Sequence, residues 1–194
     1  MKIINEFHKR PHNERRAIVM SGVFFLICTA LGVLFHFAFD FLNRPMWLAP
    51  LFPINESVFE HLKLSFVPYV IVLFPIEYYL YGRFIKKFIA GRLLGVIAAM
   101  SFSVMEFYTI KGAFGEPPMA VNIIIFCAAT LISYLVPLCL ALFAKEECSD
   151  RVKIISLVLL ALIFIIFIVF TYNPPKIPLF LDVTNGTYGY PPTS

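Results

Sequence analysis

Five runs of apolar residues, each about 20 long and separated by short polar turns, leave this 194-residue chain few ways to fold. A run of that length crosses a hydrocarbon core of ~30 Å as a helix, because lipid offers no partner to a backbone N–H or C=O and a helix satisfies both internally. The runs fall at residues 17–42, 57–82, 93–111, 119–144 and 154–172. The sequence therefore predicts an all-α integral membrane bundle of five transmembrane helices. Composition agrees: 60% of the residues are hydrophobic and 14% charged, whereas a soluble domain carries roughly 25% charged residues. No separate soluble module is expected.

Basic residues sit between the apolar runs, at Lys9, Arg10, Arg15 and Arg16 and again in the short loop at residues 83–92. The positive-inside rule places both segments on one side. This predicts a cytoplasmic basic segment at residues 1–16, a transmembrane domain at 17–172 and an extracytoplasmic Pro/Gly-rich tail at 173–194, in a multi-pass protein of the cell membrane. The net charge of +4 is explained by topology, so membrane lipids are the expected partners and nucleic acid is not. The first run is too long for a signal-peptide core and holds His36 and Asp40, so it is expected to be retained. Cys28, Cys127, Cys139 and Cys148 lack ligand spacing and read as free thiols. Ser57 and Glu60 match a capping box at the start of the second helix, Pro68, Pro75 and Pro137 should bend their helices, and Trp47 suits an interfacial anchor. No internal repeat is present, which argues against an inverted-repeat transporter.

Ionisable residues inside membrane spans are costly and point to function. At 1.5 Å per residue, His36 lies ~9 Å below the tail-side end of the first helix, His61 ~9 Å below the start of the second, and Glu106 ~8 Å below the end of the third. Three helices thus bring polar groups to one level. His36 and Asp40 share a helix face at i,i+4, as do Glu56 and Glu60. Imidazoles with a carboxylate can hold Zn²⁺ or another divalent metal with one position open for water. The expected ligands are His36, Asp40 and His61, with Glu60 or Glu106 as general base. Asn55, Glu56, Lys63, Tyr108 and Asp182 complete the candidate pocket, the last if the tail folds over it as a lid.

Each residue also has a structural reading. Ser57 and Glu60 can serve only as a cap, Glu60 and Lys63 can form an ordinary i,i+3 ion pair, and Asp40 can be solvated near the interface. Glu77, with Tyr78, Tyr79 and Tyr81, reads as an interfacial belt on the opposite side. His8 and His12 read as solvated. HExxH, GxSxG and a phosphate-binding glycine loop are all absent.

The helix 1 stretch with His36 and Asp40, the segment NESVFEHLK at residues 55–63, and the tail with Asn173-Pro174-Pro175 and Gly186-Thr187-Tyr188-Gly189 together resemble an uncharacterised family of small bacterial polytopic membrane proteins, defined only as a domain of unknown function. The resemblance implies a bacterial cytoplasmic membrane location and no particular activity. The leading functional expectation is a metal-dependent membrane hydrolase acting on a lipid or lipid-linked substrate. The alternatives are a small cation or proton-coupled transporter or channel, and an accessory membrane subunit whose polar residues only lock helix packing.

Overall fold

The structure, a computed structural model, describes residues 11–85, 87–143 and 148–191. His8, most of the basic segment, Lys86, the start of the charged turn after the fourth run and the last three residues lie outside the described residues. Five helices are long and apolar enough to cross a membrane: α1 (His12–Phe41), α2 (Val58–Leu80), α3 (Phe88–Phe114), α4 (Met119–Phe143) and α5 (Asp150–Tyr172). The chain is an all-α membrane bundle. Helices α1, α3 and α5 start earlier than their apolar runs, because a helix keeps its internal hydrogen bonds when it leaves the hydrocarbon. Five crossings put residue 12 and the tail on opposite faces, here the far face and the tail face.

Helix α2 is the hub. Of its apolar stretch 67% is buried inside the bundle, against 22% for α5, whose Ile154, Ile155, Leu162 and Ile166 stay exposed as a lipid-facing surface needs. Pro68 and Pro75 cannot supply an N–H to the residue four earlier. The segment Val67–Leu73, which contains Pro68 and ends just before Pro75, winds as a π-helix, the wider turn with which a membrane helix re-pairs its backbone around proline.

The same problem recurs in α4, where it fixes the packing of three helices. Pro137 lies inside the helix, so the carbonyl of Ser133 loses its usual i+4 donor. The Tyr69 hydroxyl of α2 donates to that carbonyl instead. To admit this contact α3 presents Gly91 and Gly95, where a Cβ would stand 2.9 Å from Pro137 Cβ and 2.5 Å from Ser133 O respectively. This small-residue pair, four apart on one face, lets α3 and α4 meet closely.

Two assignments from the sequence change at the far face. Glu77 is fully buried rather than part of an interfacial belt, and Arg92, expected in the basic loop as a topology determinant, lies one turn inside α3 with 1% exposure. Arg92 Nη2 donates to Glu77 Oε2 at 2.6 Å, and the Tyr81 and Tyr134 hydroxyls donate to the same carboxylate. The guanidinium carbon also lies 3.9 Å from the centre of the Tyr69 ring. Glu77 and Tyr81 share an inward helix face at i,i+4, while Tyr78 and Tyr79 turn outward. The carboxylate thus has three donors, while Arg92 Nε and Nη1 have no hydrogen-bond partner among the described residues and lie among the rings of Tyr69, Phe88 and Tyr134.

Gly95→Ala should lower thermal stability in detergent by about 1–3 kcal/mol, because its new methyl group meets backbone rather than a movable side chain. At Gly112, near the exposed end of α3, no atom lies within 4 Å of the added Cβ, so Gly112→Ala should be neutral or stabilising by up to ~1 kcal/mol. Thermal unfolding of the two variants side by side tests the assignment of the packing contact.

Candidate functional site

The start of α2 is fixed by two neighbouring side chains. Ser57 Oγ accepts from the Glu60 amide at 3.3 Å, half of the expected capping box. The returning bond comes from Asn55, whose Oδ1 accepts from the Ser57 amide at 3.0 Å. Glu60 turns inward instead, to 2% exposure, and its Oε2 accepts from the Ile54 amide at 3.0 Å and from Lys63 Nζ at 2.6 Å. Lys63 Nζ is wholly buried and also donates to Ala49 O at 3.0 Å and Thr171 Oγ1 at 2.6 Å. One ammonium group thereby joins α2, the loop before it and the end of α5.

With Glu60 committed inward, Glu56 and His61 face the other way. His61 Nδ1 is 2.9 Å from Ser57 O, within one helical turn. That carbonyl can only accept, so Nδ1 carries the proton and Nε2 is directed at the Glu56 carboxylate, 3.4 Å away. His36 approaches from α1 with Nε2 4.0 Å from Glu56 Oε1, and its ring centre lies 5.3 Å from that of His61. His36 Nδ1 is buried without a hydrogen-bond partner in the structure, so this imidazole is not committed to a neighbour. The hydrogen bond to His61 holds the Glu56 carboxyl below the usual carboxylate range, which keeps Glu56 ionised.

His36, Glu56 and His61 each offer a ligand atom, all within 4.8 Å of one another. A tetrahedral zinc with bonds of 2.0–2.1 Å sets its ligand atoms about 3.3 Å apart, close to the Glu56–His61 spacing and shorter than the Glu56–His36 one. The donor set suits such an ion. Two imidazoles and a carboxylate form a common three-ligand group that leaves one position open once the proton that His61 Nε2 shares with Glu56 is displaced, and a backbone carbonyl holding the far nitrogen of His61 is the usual outer support for a ligating imidazole.

Glu56 and His61 also line a cavity of about 350 Å³ between α2, α3 and α4, within the size range of small-molecule sites. Its deeper wall includes Leu62, Leu64, Phe107, Ile125 and Phe126, and its mouth is bordered by Glu116, Val183 and Thr184. The last two come from the tail, which is held down along the bundle end. Tyr190 N donates to Thr171 O at 2.8 Å and the Tyr190 hydroxyl to Arg44 O at 2.9 Å. Phe180 packs 4.5 Å from Phe59 between ring centres. Gly189, at φ +60°, passes where a Cβ would stand 2.7 Å from Pro174 Cδ.

Not every expected residue joins the cluster. Asp40 is exposed and accepts from Arg44 Nε at 2.6 Å, so Glu56 rather than Asp40 stands beside the two histidines. Glu106 and Tyr108 are half-buried on α3, outside the cavity lining. Asp182 is buried, but its carboxylate is used within the tail, accepting from the Thr184 amide at 2.9 Å and Asn185 Nδ2 at 2.8 Å. Glu116, Asn122, Ser65 and Ser103 line the cavity without having been singled out as site residues. Glu116 sits in a turn that reads as a connector, and the serines are small polar residues of a kind that helices commonly satisfy internally.

The model of a family of unknown function, DUF6512, matches residues 6–190 of the chain. No curated protein and no solved structure matches it.

Removing Lys63 strands a buried carboxylate and frees the loop carbonyls. Lys63→Met should destabilise the protein by about 3–5 kcal/mol, and the double variant Lys63→Met/Glu60→Gln should recover part of that loss. Thermal unfolding in detergent for the two single variants and the double variant measures the coupling.

Proposed function

Because the chain belongs to this family of unknown function, its activity has to be read from the site, and we propose that it is a metal-dependent membrane hydrolase acting on a lipid or lipid-linked substrate. The observation that carries the reading is the His61 ring. Its Nδ1 is anchored to Ser57 O and its Nε2 turned toward Glu56 and His36, on the wall of an apolar cavity inside the bundle. In this reading His36, Glu56 and His61 hold a divalent ion such as zinc, which lowers the pKa of bound water to about 7. Glu116, the second carboxylate of the lining and ion-paired with Lys111, would serve as the general base in place of Glu60 and Glu106. The apolar walls exclude bulk water and strengthen every electrostatic contact at the mouth.

This reading is favoured over an ion path. Between the His/Glu cluster and the Glu77–Arg92 pair, α2 presents Phe66, Val67 and Val70, all buried, and the hydroxyls of Tyr69, Thr130 and Ser133 are committed to backbone carbonyls, whereas a path would need available polar groups at that level. A purely structural role for the polar residues fits Glu77 and Arg92, whose polar contacts lie within the bundle, better than it fits His36. The positive-inside rule supports a tail facing outward from a bacterial cytoplasmic membrane.

Purified protein equilibrated with Zn²⁺ should retain about one equivalent per chain, as expected for one three-ligand site. His36→Ala, Glu56→Ala and His61→Ala should each weaken retention by more than the roughly 10–100-fold typical of changes outside the ligand set, while Asp40→Ala should leave it unchanged. Metal-free wild-type protein, or variants that hold metal equally well, would overturn the assignment. Chelation should abolish release of a labelled head group from membrane lipid.

A further inference from the structure

We propose that the cavity receives the single hydrocarbon chain of a one-chain amphiphile, whose polar head lies at the mouth by Glu56 and His61. This inference rests on the reading above for the role of the head, while the chain site stands on the cavity itself. From Val58 to Ser65 on α2 the lining descends ~10 Å, and from Phe107 to Ser103 on α3 and from Asn122 to Phe126 on α4 ~6 Å each. Half of a hydrocarbon core is ~15 Å, so the cavity stays within one leaflet and reaches about two thirds of its depth. Its charged and ligand-type groups, Glu56, His61 and Glu116, border one end with Thr184, and Leu64, Ile125 and Phe126 lie toward the other, where the polar side chains are the small serines Ser65 and Ser103. That gradient matches a molecule already oriented in a leaflet, which can move in sideways without changing depth.

Volume decides the number of chains. If a methylene takes roughly the ~30 Å³ share of a water molecule, 350 Å³ holds about a dozen of them, enough for one chain and too few for two. The deep end is closed by Phe126, whose ring packs so tightly on α1 that a Cβ at Gly32 would stand 2.4 Å from it. Phe126 is therefore the residue that limits chain length. Ser103, on the α3 wall, has its hydroxyl bonded only to its own helix, at Ala99 O, so a larger apolar residue there would fill the cavity without leaving a partner stranded.

The test uses the full chain in nanodiscs, with lysophosphatidylglycerols of graded chain length as probes, diacyl phosphatidylglycerol as counter-probe, and native mass spectrometry to count bound lipid. Wild-type protein should bind one lysolipid in preference to the diacyl lipid, with affinity rising roughly fourfold per added methylene until the cavity is full. Ser103→Leu should move that limit to shorter chains and Phe126→Ala to longer ones. The second is a gain that misfolding cannot mimic. Equal binding of the diacyl lipid, or a length limit that neither variant moves, would overturn the proposal. Zinc content measured in the same samples separates the two readings: a length-selective chain site without metal sinks only the metal centre, and metal without length selectivity sinks only the chain site.

Discussion

One buried ammonium group organises the tail face of this protein. Lys63 Nζ has no exposure to solvent and distributes its protons among Glu60, the loop carbonyl of Ala49 and the hydroxyl of Thr171. A charge at this depth is tolerated only when each donor meets an acceptor, so the loop and the end of α5 must come to it. The tail follows, because Tyr190 hangs on the Thr171 carbonyl. By drawing Glu60 inward, the same lysine also leaves Glu56 and His61 as the polar groups that turn toward α1. The geometry of the candidate metal centre is thus a consequence of how a neighbouring charge is neutralised.

The two polar clusters along α2 differ in a way that matters for chemistry. At the far face the Glu77 carboxylate is surrounded by donors from Arg92, Tyr81 and Tyr134. Such a cluster specifies which helices meet and in what register. At the tail face the His36 imidazole has a buried nitrogen without a hydrogen-bond partner among the described residues, and Glu56 and His61 beside it border a cavity. Ligand-type groups beside a cavity are the usual signature of binding, while an ion pair sealed among aromatic rings, as Arg92 is by Tyr69, Phe88 and Tyr134, is that of packing.

How much of this was legible in the sequence varied with the range of the interaction. The five spans were plain, because each is set by the length and hydropathy of its own residues. The level of His36 and His61 also followed from helical rise alone. What the residues could not give was rotation. Asp40 and Glu56 both lay near the right depth, yet Asp40 is taken by Arg44 on its own strand of chain, and only the packing of α1 on α2 selects Glu56. Glu77 and Arg92 were misplaced for the same reason: neighbouring tyrosines suggested an interface, and nothing local reveals that Glu77 faces inward while Tyr78 does not. The Tyr69 contact was hidden more deeply, since it links a proline in one helix to a hydroxyl two helices earlier.

That contact bears on how the chain is assembled. A fourth helix carrying Pro137 and released alone into lipid would bring a bare carbonyl with it, which the bilayer penalises by several kcal/mol. Its donor belongs to a helix synthesised earlier, and the glycines that make room for it belong to the one synthesised just before. The order of the genes' codons therefore matches the order of need: each partner is already waiting at the translocon when the defective segment emerges, and the hairpin of α3 and α4 is best inserted as a pair beside α2.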